Sequence, residues 1–272
     1  MEELTTLFEN LRNNSNSRFD NFSIEEIKTL SKIQEDAYLE NPKWLGGDEE
    51  FVCLSIDLDK SSRHSAQRNV QTMAKLYDYF TQNIVDILNT EDFRADYIDI
   101  KGDGAFGIYE GENSEKKALV AAITFKTFFE KHIQPKFKTV FDLDLHCKLA
   151  IDKNKLLVKK IGTRKHKNEV WAGKLINNVH KIMSLAEEIG HVDGDPLIVS
   201  EKIYEYYKNC GNEKLTISCG CDLSGNPSVH SNLWIEHTCE SNPDITDNKI
   251  YYNSSRWCKK HGDEYLQSIL ND

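Results

Sequence analysis

Two alternating runs around a glycine-flanked aspartate constrain the fold of this chain more than any other feature. The stretch is DYIDIKGDGAFGIYEG, residues 96–111, in which apolar and polar side chains alternate on both sides of Gly102, Asp103 and Gly104. Alternation with period two is typical of half-buried strands, and Asp-Gly tolerates the positive φ of a tight turn. The stretch therefore predicts a β-hairpin with Asp103 in its turn. Turns select Asp for backbone reasons alone, so a role for the Asp103 carboxylate needs support from elsewhere in the chain.

The segments that flank the hairpin predict secondary structure of alternating type. EFVCLSI, residues 50–56, is a short β-prone run, and the apolar positions from Ala66 to Leu88 repeat with the period of a helix. Residues 114–133 predict a second helix, with Ser114 as its N-cap.

The next part of the chain completes a recognisable order of elements. LDLHCKLAID and KLLVKKIG predict a second pair of strands, GKLINNVHKIMSLAEEI predicts a third helix, and PLIVS predicts a short strand. The order strand, helix, hairpin, helix, strand is that of a ferredoxin-like βαββαβ core, in which an antiparallel sheet carries helices on one face. We therefore expect an α+β fold.

Both ends of the chain predict additions to this core. Residues 1–48 have the pattern of an N-terminal helical extension, in which Ser23 and Glu26 form a capping box for a second helix. Residues 49–272 form the main domain, and its C-terminal part, 208–272, has the short runs and turns of a β-rich extension.

Composition limits the partners of the chain. Its 272 residues carry a net charge of −10, whereas binding to duplex nucleic acid needs a dense basic face. No apolar run approaches the roughly 18–20 residues that span a bilayer, and the N-terminus lacks the pattern of a signal peptide. Seven cysteines, an odd number, favour free thiols in a reducing compartment. We expect a cytoplasmic protein that acts neither on nucleic acid nor in a membrane.

A second carboxylate is predicted to lie beside Asp103. Asp57 follows the first predicted strand, which we expect to lie beside the first strand of the hairpin in a ferredoxin-like sheet. Two converging carboxylates repel unless a cation lies between them, and Mg²⁺ and Mn²⁺ prefer oxygen ligands. The loop that follows offers backbone N–H groups and side chains for an anion, at Lys60, Ser61 and Ser62. This combination predicts a two-metal site for phosphoryl transfer.

FVCLSIDLDKSS and YIDIKGDGAFGIYEG together resemble the catalytic domain of class III nucleotidyl cyclases. The resemblance implies that Asp57 and Asp103 bind two Mg²⁺ or Mn²⁺ ions, with the backbone carbonyl of Leu58 as a further ligand. It also implies a homodimer with active sites at the interface, in which one chain supplies the metal ligands and its partner supplies the residues that bind ribose.

A third segment, NEVWAGKLINNVHKI, resembles the family's Trp-Gly…Asn-x-x-x-Arg motif. The resemblance implies that Asn177 orients the ribose and that Lys181 stabilises the transition state. The chain departs from the motif by one extra residue between Trp171 and Asn177. Lys181 keeps the positive charge of the family's arginine but not its bidentate fork.

IGTRKHKNEVWAGK and SRWCKKHGDEY resemble a narrower group, the bacterial pyrimidine cyclases of Pycsar anti-phage defence. This resemblance implies conversion of UTP or CTP into a 3′,5′-cyclic monophosphate and pyrophosphate. A separate effector protein would bind the cyclic product. The family places a lysine from a late strand at the β- and γ-phosphates, which points to Lys259 and Lys260.

Two positions of the family's base-reading pattern fall on Asp99 and Glu169. An ionised carboxylate has no donor for N1 of adenine, which disfavours ATP. Asp99 and Lys101 share one face of the predicted strand, and their acceptor and donor suit uracil. Two carboxylates that accept from an exocyclic amine suit cytosine or guanine instead. Ser55 is expected to line the same pocket, and we favour UTP while CTP stays open.

Two other functions compete with a pyrimidine or purine cyclase. DLDK also resembles the first motif of diguanylate cyclases, but the Gly-Gly-Asp/Glu-Glu-Phe turn of that family is absent from the sequence. The other competitor is a catalytically inactive module that binds nucleotide or forms dimers. Retention of both Asp57 and Asp103 argues against it.

Overall fold

A twisted sheet forms the centre of the structure, which is a computed structural model. It describes residues 2–36, 43–163, 166–190, 195–222, 224–239, 249–253 and 262–271. The strands in these ranges are β1 (Ile24–Glu26), β2 (Trp44–Leu58), β3 (Tyr97–Lys101), β4 (Gly104–Tyr109), β5 (Cys147–Thr163), β6 (His166–Ala172), β7 (Leu197–Ser200), β8 (Trp234–Thr238) and β9 (Lys249–Asn253). The helices are α1 (Glu2–Asp20), α2 (Ser31–Asp36), α3 (Ser61–Gln67), α4 (Val70–Leu88), α5 (Ser114–Phe128), α6 (Gln134–Phe141), α7 (Lys174–Ser184), α8 (Ala186–Ile189), α9 (Glu201–Asn209) and α10 (Gly262–Asn271).

The strand order of the sheet is β3-β4-β2-β5-β7-β9-β8, with β1 beside β2 and β6 beside β5. β2 runs antiparallel to both β4 and β5, and β3 and β4 form the expected hairpin. The neighbour of β2 is the second strand of the hairpin, so the expectation that the first strand lies beside it was wrong. The elements β2, α4, β3, β4, α5 and β5 follow one another as a βαββαβ unit. The predicted α+β fold is therefore confirmed.

Helices cover both faces of the sheet, so the expectation of helices on one face was wrong. Leu54 and Ile56 of β2 pack in the core cluster that includes α4 and α5. Phe51 and Cys53, which point the other way, pack in a second cluster that includes α7. A central strand with apolar side chains in both directions needs cover on both faces, and this explains the third helix.

Residues 24–26 form a strand instead of a helix start. β1 pairs in parallel with β2, where Ile24 lies opposite Trp44, so the predicted capping box of Ser23 and Glu26 was wrong. Backbone hydrogen bonds with a strand some 20 residues away favour the extended conformation here over the helix start that the capping pattern predicted. β2 itself begins at Trp44 and crosses the predicted boundary at residue 48. The division of the chain at that boundary stays a prediction.

The second predicted pair of strands is one continuous strand, β5. Its first half pairs with β2 and β7, and its second half pairs with β6 and with the start of β2. Lys153 and Asn154, which lie between the two predicted runs, pair with Val52 and Phe51 of β2. Asp152, the last residue of the first run, is buried inside β5, where its carboxylate accepts a hydrogen bond from Nδ2 of Asn178. The polar residues at this point therefore do not mark a turn.

Two predicted helices have different starts or breaks. The helix predicted from Ala66 is divided at Asn69, whose side chain accepts a hydrogen bond from the backbone N–H of Thr72 at 2.9 Å. Asn113, with φ of 63°, is the N-cap of α5, where Ser114 was expected. Beyond α5 the chain continues as a π-helical segment, Phe129–Ile133. Within the described ranges, no helix has the length and apolar character to cross a bilayer.

Candidate active site at the end of β2

The strand register aligns residues of four strands in a row across the sheet. Lys101 of β3 pairs with Gly104 of β4, Gly104 pairs with Asp57 of β2, and Asp57 pairs with Lys148 of β5. Side chains of paired residues point to the same face, and Asp57 shares the α7 face with Cys53 because strand side chains alternate. In this row Asp57 therefore has one lysine on each side, Lys101 beyond Gly104 and Lys148 on the neighbouring strand.

A second row lies two residues further into the sheet on the same face. Asp99 pairs with Phe106, Phe106 pairs with Ser55, and Ser55 pairs with Ala150. Ser55 is buried within the sheet. The register thus brings Ser55 and Asp99, two of the predicted nucleotide-binding residues, next to the row that contains Asp57.

Asp103 lies close enough to Asp57 to affect the ionisation of the Asp57 carboxylate. Burial, together with the negative charge of Asp103, raises the pKa of Asp57 to about 6. The positive charge of Lys148 and a hydrogen bond from the backbone N–H of Leu58 act in the opposite direction but do not cancel the effect. The predicted convergence of the two carboxylates is present in the structure.

Gly104 and Gly102 serve different purposes around Asp103. Gly102 has φ of +62° and open space around it, as the turn requires. A Cβ at Gly104 would lie 2.8 Å from Oδ1 of Asp57 and 2.5 Å from the carbonyl oxygen of Ile56. Gly104 is therefore needed because the hairpin packs directly against Asp57.

Two nearby carboxylates match the oxygen donors that Mg²⁺ and Mn²⁺ prefer. Within the described parts of the chain, no cluster of three or more His, Cys, Asp or Glu side chains is arranged to hold a metal ion. Asp57 and Asp103 are the side chains at this place that could hold such an ion. The side chain of Leu58 is buried in the core, so only its backbone can contribute a ligand.

Sequence reasoning missed Lys148 and Asp59. Nζ of Lys148 lies 2.7 Å from Oδ1 of Asp59 and 3.0 Å from Oε1 of Glu187. Burial opposes the charged form of Lys148, but these hydrogen bonds outweigh it and raise its pKa. No local pattern marks Lys148, because its place beside Asp57 depends on the pairing of strands that are about 90 residues apart.

The predicted anion-binding residues follow β2 directly. Lys60 lies at the N-cap of α3 with φ of 53°, and its Nζ is 3.6 Å from Oδ2 of Asp59. Ser61 is half-buried and Ser62 is exposed. All three lie just past the row that contains Asp57.

Asp99 and Lys101 form one cluster with Trp171. Oδ2 of Asp99 accepts a hydrogen bond from Nε1 of Trp171 at 2.6 Å and lies 2.8 Å from Nζ of Lys101. The indole ring packs edge-to-face on Tyr97 and Phe106. Trp171 entered the sequence argument only as part of a motif, and the structure identifies it as the partner that orients Asp99.

Glu169 joins the same cluster through Tyr97. Its Oε1 lies 2.9 Å from Nζ of Lys160, and its carboxylate forms a hydrogen bond with the Tyr97 hydroxyl. Tyr97 in turn contacts Trp171. The structure therefore gathers Asp99, Lys101 and Glu169, as the sequence predicted.

Asn177 and Lys181 lie one turn apart on α7. Asn177 is exposed and Lys181 is half-buried, whereas Leu175, Val179 and Ile182 of the same helix face the core. Their roles remain predictions, as do those of Lys259 and Lys260, which lie outside the described residues.

Similar structures define the class of fold to which this geometry belongs. The crystal structure of the guanylyl cyclase Cya2 has a TM-score of 0.54 and 14% identity, over 76% of this chain and 92% of that chain. The adenylyl cyclase CyaB from P. aeruginosa has a TM-score of 0.56 and 12% identity, over 78% and 96%. The fold is that of the catalytic domain of class III nucleotidyl cyclases.

Curated relatives of similar sequence have names that specify one nucleotide. The chain is 29% identical to the uridylate cyclase of Micromonospora echinofusca over 225 residues, which is 81% of this chain and 69% of that protein. It is 27% identical to the uridylate cyclase of Propioniciclava tarda over 274 aligned positions, 99% of this chain and 81% of that protein. No family model matches. The relatives and the fold together support a nucleotidyl cyclase and confirm the resemblance seen in the sequence.

The raised pKa of Asp57 predicts a stability cost that depends on pH. The cost is fully present above pH about 6, where both folded and unfolded Asp57 are ionised, and it disappears below the unfolded value of 3.8. In the presence of a chelator, Asp57→Asn should therefore be more stable than wild type by about 1–2 kcal/mol at pH 7.5, after allowance for solvent screening.

Denaturant unfolding at pH 7.5, 6 and 4 measures this difference. The gain should shrink as the pH falls through 6 and vanish near pH 4. Asp78→Asn, on the exposed side of α4, is the matched control and should change stability by less than about 0.5 kcal/mol. A destabilised Asp57→Asn at pH 7.5 would contradict the assignment of charge repulsion at this site.

Proposed function

We propose that the protein is a pyrimidine nucleotide cyclase that converts UTP into 3′,5′-cyclic UMP and pyrophosphate. The observation that carries the proposal is the convergence of Asp57 and Asp103 at the end of β2, beside a hairpin whose Gly104 leaves room for it. The names of the curated relatives support uridine as the nucleoside. CTP is the alternative substrate of the same site.

Asp57, Asp103 and the backbone carbonyl of Leu58 would hold Mg²⁺ or Mn²⁺, two ions per site. Such ions polarise phosphoryl oxygens and offset the negative charge of the triphosphate. Burial, and after it the negative charge of Asp103, raises the pKa of Asp57, so a bound cation would offset a charge that the site itself disfavours.

Lysine side chains of the protein would surround the bound triphosphate. Lys148 and Lys101 lie on either side of Asp57 in the row across the sheet. Lys60, Ser61 and Ser62 follow Asp57 and would contact the β- and γ-phosphates. The family resemblance gives the same role to Lys259 and Lys260. In the reaction, the 3′-oxygen of the ribose forms a bond to the α-phosphorus as its proton passes to solvent. The α–β bridging bond breaks, and pyrophosphate leaves with the electron pair.

Base selection falls to the cluster around Trp171. Trp171 and Lys101 both reach Oδ2 of Asp99, which leaves Oδ1 as the oxygen that N3–H of uracil would reach. Lys101, held by Asp99, is placed to donate to O4 of uracil. Glu169 and Ser55 line the same pocket.

The active site is completed by a second copy of the chain. Asn177 and Lys181 lie on the outer side of α7, where they are accessible to another subunit. We propose that Asn177 orients the ribose and that Lys181 stabilises the charge that develops on the phosphorus centre, each acting on the nucleotide bound by the partner's aspartates.

The resemblance to the Pycsar group supports a wider role. We propose that the cyclic product is a second messenger of anti-phage defence in the cytoplasm, where a separate effector protein binds it. This role adds no residue to the active site.

Assays of the purified protein with each of the four nucleoside triphosphates and Mn²⁺ test the proposed function, with products identified by mass. We expect cyclic UMP as the main product. Asp57→Ala and Asp103→Ala should each lower kcat at least a thousandfold, on the order of the several kcal/mol that metal-bound charge stabilisation supplies. Asp78→Ala is the control on an exposed helix face. Near-normal turnover in either active-site variant would refute the assignment.

Asp99→Asn should weaken the discrimination between UTP and CTP by about 1–3 kcal/mol, because it replaces an acceptor with a mixed donor and acceptor. The ratio of kcat/KM for the two substrates measures the change. Trp171→Phe keeps an aromatic side chain but removes the N–H that holds Asp99, together with part of the ring, so it should weaken the discrimination in the same direction by less. Asp92→Asn, exposed near the start of the hairpin, is the control. An unchanged ratio in Asp99→Asn means that the base is read elsewhere.

Mixing two inactive variants tests the shared site. Asp57→Ala and Asn177→Ala should each be inactive alone, whereas a mixed dimer contains one interface with both intact halves. After subunit exchange, random pairing should restore up to about a quarter of wild-type activity per total chain. Verified heterodimers that remain inactive would place the whole site within one chain.

A further inference from the structure

A buried carboxylate lies beneath α7, away from the metal-binding aspartates. Asp152 of β5 is 1% exposed and lies opposite Cys53 on the α7 face of the sheet. Its Oδ2 accepts a hydrogen bond from Nδ2 of Asn178 at 3.0 Å. The hydroxyl of Ser200 and the backbone N–H of Lys153 also donate to it. One carboxylate therefore links β5, α7 and the end of β7.

Asn178 is adjacent to Asn177 and is itself 2% exposed. Consecutive side chains of an α-helix point about 100° apart, so the direction of Asn178 determines the direction of Asn177 and of Lys181 one turn further on. The other inward-facing residues of α7 are apolar, and their packing is much less directional than a hydrogen bond. The contact between Asp152 and Asn178 therefore specifies the rotation of α7 about its axis.

A buried carboxylate is an expensive way to hold a helix. Its desolvation opposes folding, and apolar side chains of similar volume often stabilise a core as well or better. Three donors satisfy Asp152, which is the condition under which a buried polar group specifies one arrangement rather than several.

We propose that Asp152 is a positioning residue for catalysis: through Asn178 it sets the rotation of α7 and thereby directs Asn177 and Lys181 toward the nucleotide. The roles of Asn177 and Lys181 rest on the proposed function. Asp152 itself touches neither substrate nor metal. Its effect is on the alignment of the ribose 3′-oxygen with the α-phosphorus. Asp57 and Asp103 would hold the triphosphate independently of Asp152.

Kinetics of Asp152→Ala and Asn178→Ala test this role. Because displacement of a catalytic group by about 1 Å can cost about a hundredfold, kcat should fall by about 10- to 100-fold in each, with KM for UTP within about threefold of wild type. The double variant should lose no more than either single variant, because both remove one contact. The exchanged pair, Asp152→Asn with Asn178→Asp, restores a hydrogen bond between the positions and should recover most of kcat.

Leu119→Ala is the matched control for stability. Leu119 of α5 is fully buried in the cluster on the opposite face, so its truncation leaves a cavity without touching α7. At a temperature where all variants are folded, this variant should keep wild-type kcat. An equal loss of kcat in Leu119→Ala, or a kcat within twofold of wild type in both Asp152→Ala and Asn178→Ala, overturns the proposal.

Hydrogen exchange gives a readout that needs no turnover. Asp152→Ala and Asn178→Ala should lose protection in α7, while Leu119→Ala should lose it in α5. If the wild-type protein converts none of the four nucleotides, the proposed function fails, and the exchange data still decide whether Asp152 holds α7. Unchanged protection of α7 in both variants overturns the proposal. If Asp152→Ala folds poorly, unchanged protection of α7 in Asn178→Ala is enough to overturn it.

Discussion

The repulsion between Asp57 and Asp103 is the interaction on which the arrangement of this site depends. Two carboxylates do not approach each other unless the surrounding structure forces them together, and this repulsion adds to burial in raising the pKa of Asp57. The force comes from the backbone: β2 is paired on both sides, and Gly104 lets the hairpin press against Asp57 without a side chain between them. The two carboxylates are thus fixed where the proposed metal ions would offset their charge.

The register of β2 determines which face of the sheet each side chain of the site points to. With Asp57 opposite Gly104 and Lys148, the α7 face receives Ser55 and Asp57, while Ile56 and Leu58 face α4 and α5. A slip of one residue would exchange these two sets of side chains and bury the aspartate in an apolar core. Pairing on both edges of β2 therefore specifies the site as strongly as it specifies the fold.

Both faces of the sheet combine apolar packing with buried polar contacts. The face toward α4 and α5 is mostly apolar and includes the edge-to-face contacts of Phe80 with Phe125 and Phe129. It also holds Glu115 of α5, a buried carboxylate that pairs with Lys153 of β5. The face toward α7 has Asp152 and Ser55 among its apolar side chains. Apolar packing tolerates small shifts, whereas hydrogen bonds have direction, so a contact such as that of Asp152 with Asn178 lies where helix orientation matters for the proposed chemistry.

Local sequence patterns determined the hairpin, the long helices and the two aspartates, because turn chemistry and side-chain periodicity act between neighbours in the chain. They also identified Asp99, Lys101 and Glu169, since strand alternation and family motifs are themselves local. Only the tertiary structure decided that residues 24–26 pair as a strand, that β5 is continuous through Asp152, and that Lys148 lies beside Asp57. The contact of Trp171 with Asp99 spans 72 residues and leaves no local trace. Such contacts depend on which strands become neighbours, and strand pairing is settled by the burial of both faces of the whole sheet.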